Sequence, residues 1–168
     1  MGKYQLVLYP DAVLRQRAHE VSQIDGKTYD LLKAMQEIMY RYKGIGLAAP
    51  QVGYLQRIII ADTGEGLLAL INPEIVQQEG NARQDEGCLS LPEVRVEVPR
   101  SESIAVRAWD ADGKERQLEL KGLAARVVQH EIDHLNGRLI IDYASTAERL
   151  KNAAQLEKLE KMFKFKVL

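Results

Sequence analysis

The chain predicts an α+β fold in which antiparallel β-sheets pack around a central helix and a further helix closes the C-terminus. Three observations carry this. Segments with strand character fall between residues 57 and 120 without intervening helices, so there is no run of βαβ units. Two of these segments flank Asp110-Ala111-Asp112-Gly113, a hairpin signal that joins antiparallel neighbours. After residue 122 the apolar spacing changes to that of a helix.

The elements follow in order. Tyr9-Pro10-Asp11 reads as a turn, with a short helical stretch over Val13 to Arg17 behind it. From Lys27 to Tyr42, Leu31, Ala34, Met35, Ile38 and Met39 recur at helical spacing; Asp25 or Thr28 can cap the start and Gly44 can end it. Residues 44–53 hold too much Gly and Pro for a helix and read as an ordered loop. Arg57–Ala61 (RIIIA) reads as a strand buried on both faces, and Leu67–Asn72 as a second. Arg95–Val98 alternates polar and apolar as a half-buried strand does; Ser103–Trp109 and Glu115–Leu120 complete the set. Leu123, Val127, Val128, Glu131, His134 and Leu135 then fit a helix that Asn136-Gly137 ends. The last helix spans about 146–163, with Ser145 and Glu148 at capping-box spacing and a stripe of Leu150, Ala153, Ala154, Leu156 and Leu159.

Bulk properties narrow the function classes. The 168 residues, without repeat or low-complexity linker, predict one domain over 1–168. A formal net charge of −1 provides no global basic field, so no sequence-specific nucleic acid partner is expected. No apolar run approaches the roughly 20 residues that span a bilayer. The start Met1-Gly2-Lys3 lacks signal-peptide features, and Leu6 stands where a myristoylation site needs Ser or Thr. The single cysteine, Cys88, excludes an intrachain disulfide and suits a reducing, cytoplasmic compartment.

Residues 130–134 read His-Glu-Ile-Asp-His. Positions i and i+4 share one helix face, so His130 and His134 can grip one metal ion while Glu131 reaches a water on it. The bland alternative is two solvent-facing histidines, but Val127, Val128 and Leu135 would carry this helix into the core. A catalytic metal usually takes three protein ligands and keeps one position open. The third is left open by the motif. Gly137 matches the extended zinc-protease pattern, but position 140 is Ile where a third His would stand. Glu148, Glu157 or Glu160 could serve as in a thermolysin-like site; His19 lies far upstream. Cys88, in Glu86-Gly87-Cys88-Leu89-Ser90-Leu91-Pro92, would offer a thiolate that suits zinc or ferrous iron.

Three segments together resemble the peptide deformylases: Gly44-Ile45-Gly46-Leu47-Ala48-Ala49-Pro50-Gln51, then Glu86-Gly87-Cys88-Leu89-Ser90, then Gln129-His130-Glu131-Ile132-Asp133-His134. Pro10 with Leu14-Arg15 is similar to the family's N-terminal signature. The resemblance implies Cys88, His130 and His134 as ligands of one divalent metal, ferrous iron in the cell with zinc, nickel or cobalt as substitutes. It implies Glu131 as general acid/base, with Gln51 and the Leu89 N–H facing the formyl oxygen. Ile45 and Gly46 would pair with substrate backbone as an added strand. The implied substrates are N-formyl-methionyl nascent peptides, and the implied products formate and a free amino terminus. Leu123 and Val127 could line an apolar pocket for the methionine side chain, and Arg126 could make its rim more polar. Arg95 could neutralise a peptide backbone or carboxylate but reads rather as a surface strand cation, and Glu86 as a carboxylate that orients its neighbours or pairs with an Arg. In one branch of the family a C-terminal helix is associated with ribosome docking. Here that helix carries Lys151, Lys158, Lys161, Lys164 and Lys166, which also suits a merely solvated basic face.

Two competing functions remain distinguishable. A small zinc peptidase would use a carboxylate as third ligand and tolerate loss of Cys88. A non-catalytic peptide- or ribosome-binding protein would close its metal with four protein ligands.

Overall fold

The computed structural model describes residues 4–167. The start at Met1–Lys3 and the side chain of Lys166 lie outside the described residues. Strands β1 (Gly46–Ala48), β2 (Ile58–Ala61), β3 (Leu68–Glu79), β6 (Ser103–Trp109) and β7 (Glu115–Lys121) form one antiparallel sheet in the order β1-β2-β3-β6-β7. Strands β4 (Ala82–Cys88) and β5 (Leu91–Arg100) form a separate hairpin. Helix α1 (Gly26–Arg41) covers one face of the large sheet and α2 (Gly122–Leu135) the other.

The sequence of β2 explains this sandwich. Ile58 and Ile60 point into the cluster with Leu31, Met35 and Met39 of α1, while Ile59 and Ala61 point into the cluster with Val127, Val128 and Leu135 of α2. All four strand residues are buried, and each isoleucine contributes about 1.5–3 kcal/mol by leaving water. Helix α2 is thereby held between the large sheet and the β4–β5 hairpin, whose Val94, Val96 and Val98 pack with Leu14, Leu139 and Ile140.

Caps follow the sequence. Asp25 accepts from Lys27 and Thr28, and the Thr28 hydroxyl closes the box. Ser145 donates to Glu148 Oε2 from its N–H (2.9 Å) and its hydroxyl (2.7 Å), at the start of α3 (Thr146–Val167). The Asp110–Gly113 turn joins β6 to β7, with Gly113 at φ +78°.

Four expectations are corrected. The stretch 44–53 is not a plain loop: it holds β1 and a short 3-10 helix over Ala49–Val52. The first helical stretch is a 3-10 turn over Ala12–Arg15, with Asp11 accepting from the Val13 N–H at 3.0 Å. The second strand does not stop at Asn72. It runs on to Glu79 through register shifts after Ile71 and Ile75, because Pro73 removes a ladder donor and the backbone bulges around it. The stripe expected on α3 is also rotated. Leu150, Ala153 and Ala154 are exposed, and the docked face presents Asn152, Gln155, Leu156 and Leu159. The two polar members make it a docked face: Asn152 bonds the backbone N–H and carbonyl of Arg95, and Gln155 donates to the Pro92 carbonyl at 2.8 Å. Strand β4 could not be delimited from the sequence, since its residues Arg83 to Asp85 are exposed and polar. No helix among the described residues is long and apolar enough to cross a membrane.

Candidate metal centre and catalytic cavity

His130 and His134 stand one turn apart on α2, and the hairpin turn after β4 brings Cys88 against them. Cys88 Sγ lies 3.3 Å from His134 Nε2, which lies 3.2 Å from His130 Nε2. Three such donors within 4.8 Å of one another could hold one ion. Their spacing suits a tetrahedral site, whose ligand distances of about 2.0–2.3 Å separate donors by about 3.3–3.6 Å. The donor set itself, one thiol and two imidazoles, therefore fits a single divalent metal.

The surroundings fix the rings. Glu86 Oε2 accepts from His130 Nδ1 at 2.9 Å, which turns Nε2 toward the cluster. Glu86 is in turn clamped: Arg100 donates to both its oxygens at 3.0 Å, and Arg126 to Oε1 at 2.8 Å. Arg100 reaches on to Asp133 at 2.5 Å, and Tyr143 donates to that carboxylate at 2.8 Å. Burial alone would raise the Glu86 carboxyl, but the bonds and charges of His130 and Arg100 win and hold it at about 2. Burial holds His134 well below the ordinary imidazole value, with the neighbouring His130 and Arg100 adding to it. The His134 Nδ1 is buried without a hydrogen-bond partner among the described residues.

Glu131 is 3% exposed, and its Oε2 also has no hydrogen-bond partner among the described residues. Burial pushes its carboxyl up to about 7, against the pull of His130 and Arg100. A carboxyl poised there can both take and return a proton near neutrality. Opposite it, Gln51 is fixed by accepting from the Ala48 N–H at 2.9 Å. Its amide nitrogen donates to Ser90 Oγ at 3.1 Å and points at Cys88 Sγ at 3.6 Å.

Nearly all the residues singled out in the sequence meet at one cavity of about 670 Å³. Cys88, His130, Glu131, Gln51, Leu89, Ile45, Gly46, Leu123 and Val127 are all among its lining residues. His134 stands behind them, 1% exposed. Ile45 and Leu123 are about half exposed at the mouth, whereas Val127 is buried within. Arg126 is among the lining residues but is buried, and it donates to Glu86 and to the carbonyls of Val98 and Ala82. Arg95 also lines the cavity, as an exposed cation paired with Asp85 at 2.7 Å. The partners that sequence reasoning missed are Arg100, Asp133 and Tyr143. Asp133 sits inside the motif as an unremarkable spacer, and Arg100 ends a strand with no local pattern.

A family model for polypeptide deformylases matches residues 3–150. The chain belongs to the peptide deformylase family. It is 46% identical over 154 residues to the peptide deformylase of Thermodesulfovibrio yellowstonii, covering 89% of this chain and 93% of that one. It is 48% identical over 148 residues to the peptide deformylase of Thermotoga maritima, covering 88% and 90%. The crystal structure of the Plasmodium falciparum peptide deformylase superimposes with a TM-score of 0.91 at 37% identity, over 95% of this chain and 97% of that one. Peptide deformylases are metal-dependent hydrolases, and in this chain Cys88, His130 and His134 are a group that could hold the metal.

Proposed function

We propose that Cys88, His130 and His134 hold the catalytic metal of this peptide deformylase and that Glu131 moves the proton. The activity follows from the family: the enzyme removes the N-formyl group from the initiator methionine of newly made polypeptides and releases formate. The observation that carries the residue assignment is the convergence of three donors beside a buried carboxylate oxygen with no other partner. When bound, the metal supplies an activated water as nucleophile near neutral pH. Glu131 Oε2 accepts the proton released as the formyl carbon is attacked, and returns it to the leaving amine. Negative charge grows on the formyl oxygen, where the Gln51 amide and the Leu89 N–H would stabilise it. Gln51 can spare a donor: one amide hydrogen serves Ser90 and the other faces Cys88.

Substrate placement rests on β1. It is an edge strand of the large sheet, and Gly44, Ile45 and Gly46 line the cavity, so an extended peptide can add to it. The methionine side chain would lie between Ile45, Leu123 and Val127. We assign ferrous iron as the cellular metal, as membership of the family implies, with zinc, nickel or cobalt as replacements; the thiolate and two imidazoles accommodate any of them. We read residues 1–168 as one catalytic domain that acts in the cytoplasm, where nascent chains emerge. The exposed Lys151, Lys158, Lys161 and Lys164 of α3 support ribosome docking. Co-sedimentation with ribosomes should be lost in Lys158→Glu/Lys164→Glu, and unchanged sedimentation would remove that role.

The decisive experiment is amine release from an N-formyl-methionyl peptide by iron-loaded protein kept free of oxygen, against an acetylated control. Release from the formyl peptide is expected, and Glu131→Ala should abolish it with the metal still bound. Turnover by Glu131→Ala would end the assignment of the proton shuttle. Full metal binding by Cys88→Ala would end that of the third ligand.

A further inference from the structure

A second cavity, of about 680 Å³, lies on the other side of α2 and shares no lining residue with the catalytic one. Ile132 of α2 and Asn136, the residue capping its end, line it and sit about half a turn round the helix from His130 and His134. Facing them are Arg17, His19 and Arg57. Backbone pairing brings these together. The His19 N–H donates to the Leu55 carbonyl at 2.9 Å, and the Arg57 N–H donates to the His19 carbonyl at 2.8 Å.

The cations of this cavity are only partly compensated. Among the described residues, neither the Arg17 nor the His19 side chain has a hydrogen-bond or ion-pair partner, and Arg57 has no carboxylate within salt-bridge distance. Arg57 spends one nitrogen on the Asn136 side chain (3.1 Å) and the Leu135 carbonyl (3.4 Å), which leaves most of its five donors free. Two acids share the lining. Glu74 is neutralised by Arg107 at 2.6 Å. Glu20 remains, but it attracts Arg57 less than Arg17 repels it; burial and that repulsion together lower the Arg57 pKa. Exposed Arg17 and His19 and half-buried Arg57 line one open concavity, with Arg17 near enough to lower the Arg57 pKa, and together they offer a site for an anion with several acceptor oxygens. A carboxylate is satisfied by one arginine, whereas a phosphate group can engage both and the imidazole.

We propose that the cavity framed by Arg17, His19 and Arg57 is a second binding site of this enzyme, and that it takes a phosphate group. The cavity is larger than inorganic phosphate, and Pro73, Ile75 and Ile132 give it an apolar end. A phosphate carried on a planar base, or free phosphate, would each satisfy the same cations.

The test is a titration of the zinc-loaded, ¹⁵N-labelled enzyme with inorganic phosphate at low salt, followed by amide shifts. The expected result is saturable shifts at Arg17–Glu20, Asn72, Glu74, Ile75 and Asn136. Arg17→Ser should weaken binding by at least about fivefold and leave deformylation unchanged. A parallel titration with AMP separates the sources: tighter binding than phosphate identifies a nucleotide, and equal binding identifies free phosphate. No saturable shift, shifts confined to the surroundings of His130, or shifts that Arg17→Ser does not weaken would overturn the site. Arg57→Lys, which keeps the charge but loses the fork, gives the same reading should Arg17→Ser prove uninformative. Its affinity must fall.

Discussion

Gly46 shows how closely a single residue is bound to the chemistry. A Cβ at this position would run into Glu131 Oε1 and approach Val127 Cγ1 to 2.7 Å. The edge strand therefore comes up to the proposed proton shuttle as bare backbone, which is what a peptide pairing with that strand requires. Gly46→Ala is expected to displace Glu131 and lower kcat by about 100-fold, since an ångström of misplacement costs about that much. Steady-state kinetics beside a near-unchanged circular dichroism spectrum would check it. The residues of this site were legible in proportion to how local their chemistry is. His130, Glu131 and His134 declare themselves by spacing alone. Cys88 needed the company of two other segments. Arg100 was silent because its partners Glu86 and Asp133 are 14 and 33 residues away and meet it only in the folded chain.

At the scale of elements, the cap of α3 gives a pH signature. Glu148 accepts from the Glu97 N–H at 2.7 Å and from Ser145, and these bonds, backbone first, hold its carboxyl at about 2 against an ordinary value of 4.5. A carboxyl depressed on folding stabilises above its unfolded pKa and loses that contribution as pH falls through the folded one. Glu148→Gln should therefore lower Tm at neutral pH, and its gap to the wild type should close between pH about 4.5 and about 2. A gap of constant size across that range would refute the charge-based cap. The elements themselves were readable wherever one face is apolar, as in α1, α2 and β2. Strand β4 escaped because Arg83, Gln84 and Asp85 look to solvent. Strand β3 seemed to end at Asn72-Pro73 because a bulge cannot be told from a stop in sequence. The docked face of α3 was misread because Asn152 and Gln155 supply backbone hydrogen bonds where an apolar stripe was expected.

For the molecule as a whole, Glu86 is where the hairpin and α2 are joined. It is 7% exposed and carries bonds to His130, Arg100 and Arg126 together. Glu86→Gln should leave two buried guanidiniums underpaired, costing about 3–5 kcal/mol of stability. It should also loosen the orientation of His130, weakening metal affinity by about 10- to 100-fold. Urea unfolding and competition with a chelator measure the two separately. A loss of stability without loss of affinity would confine Glu86 to a structural part.

The proposed ligands come from two separately hydrogen-bonded bodies: Cys88 from the β4–β5 hairpin, His130 and His134 from the helix seated on the large sheet. The ion then acts as a clasp, and one sulfur atom is its only hold on the hairpin side. Chelation should speed hydrogen exchange in β4 and β5 while the amides of β2, β3 and β6 stay protected. Oxidation of Cys88 should do the same with the histidines untouched. For an iron-loaded enzyme, exposure to oxygen would thus be recorded first as a loosened hairpin, before the large sheet registers any loss.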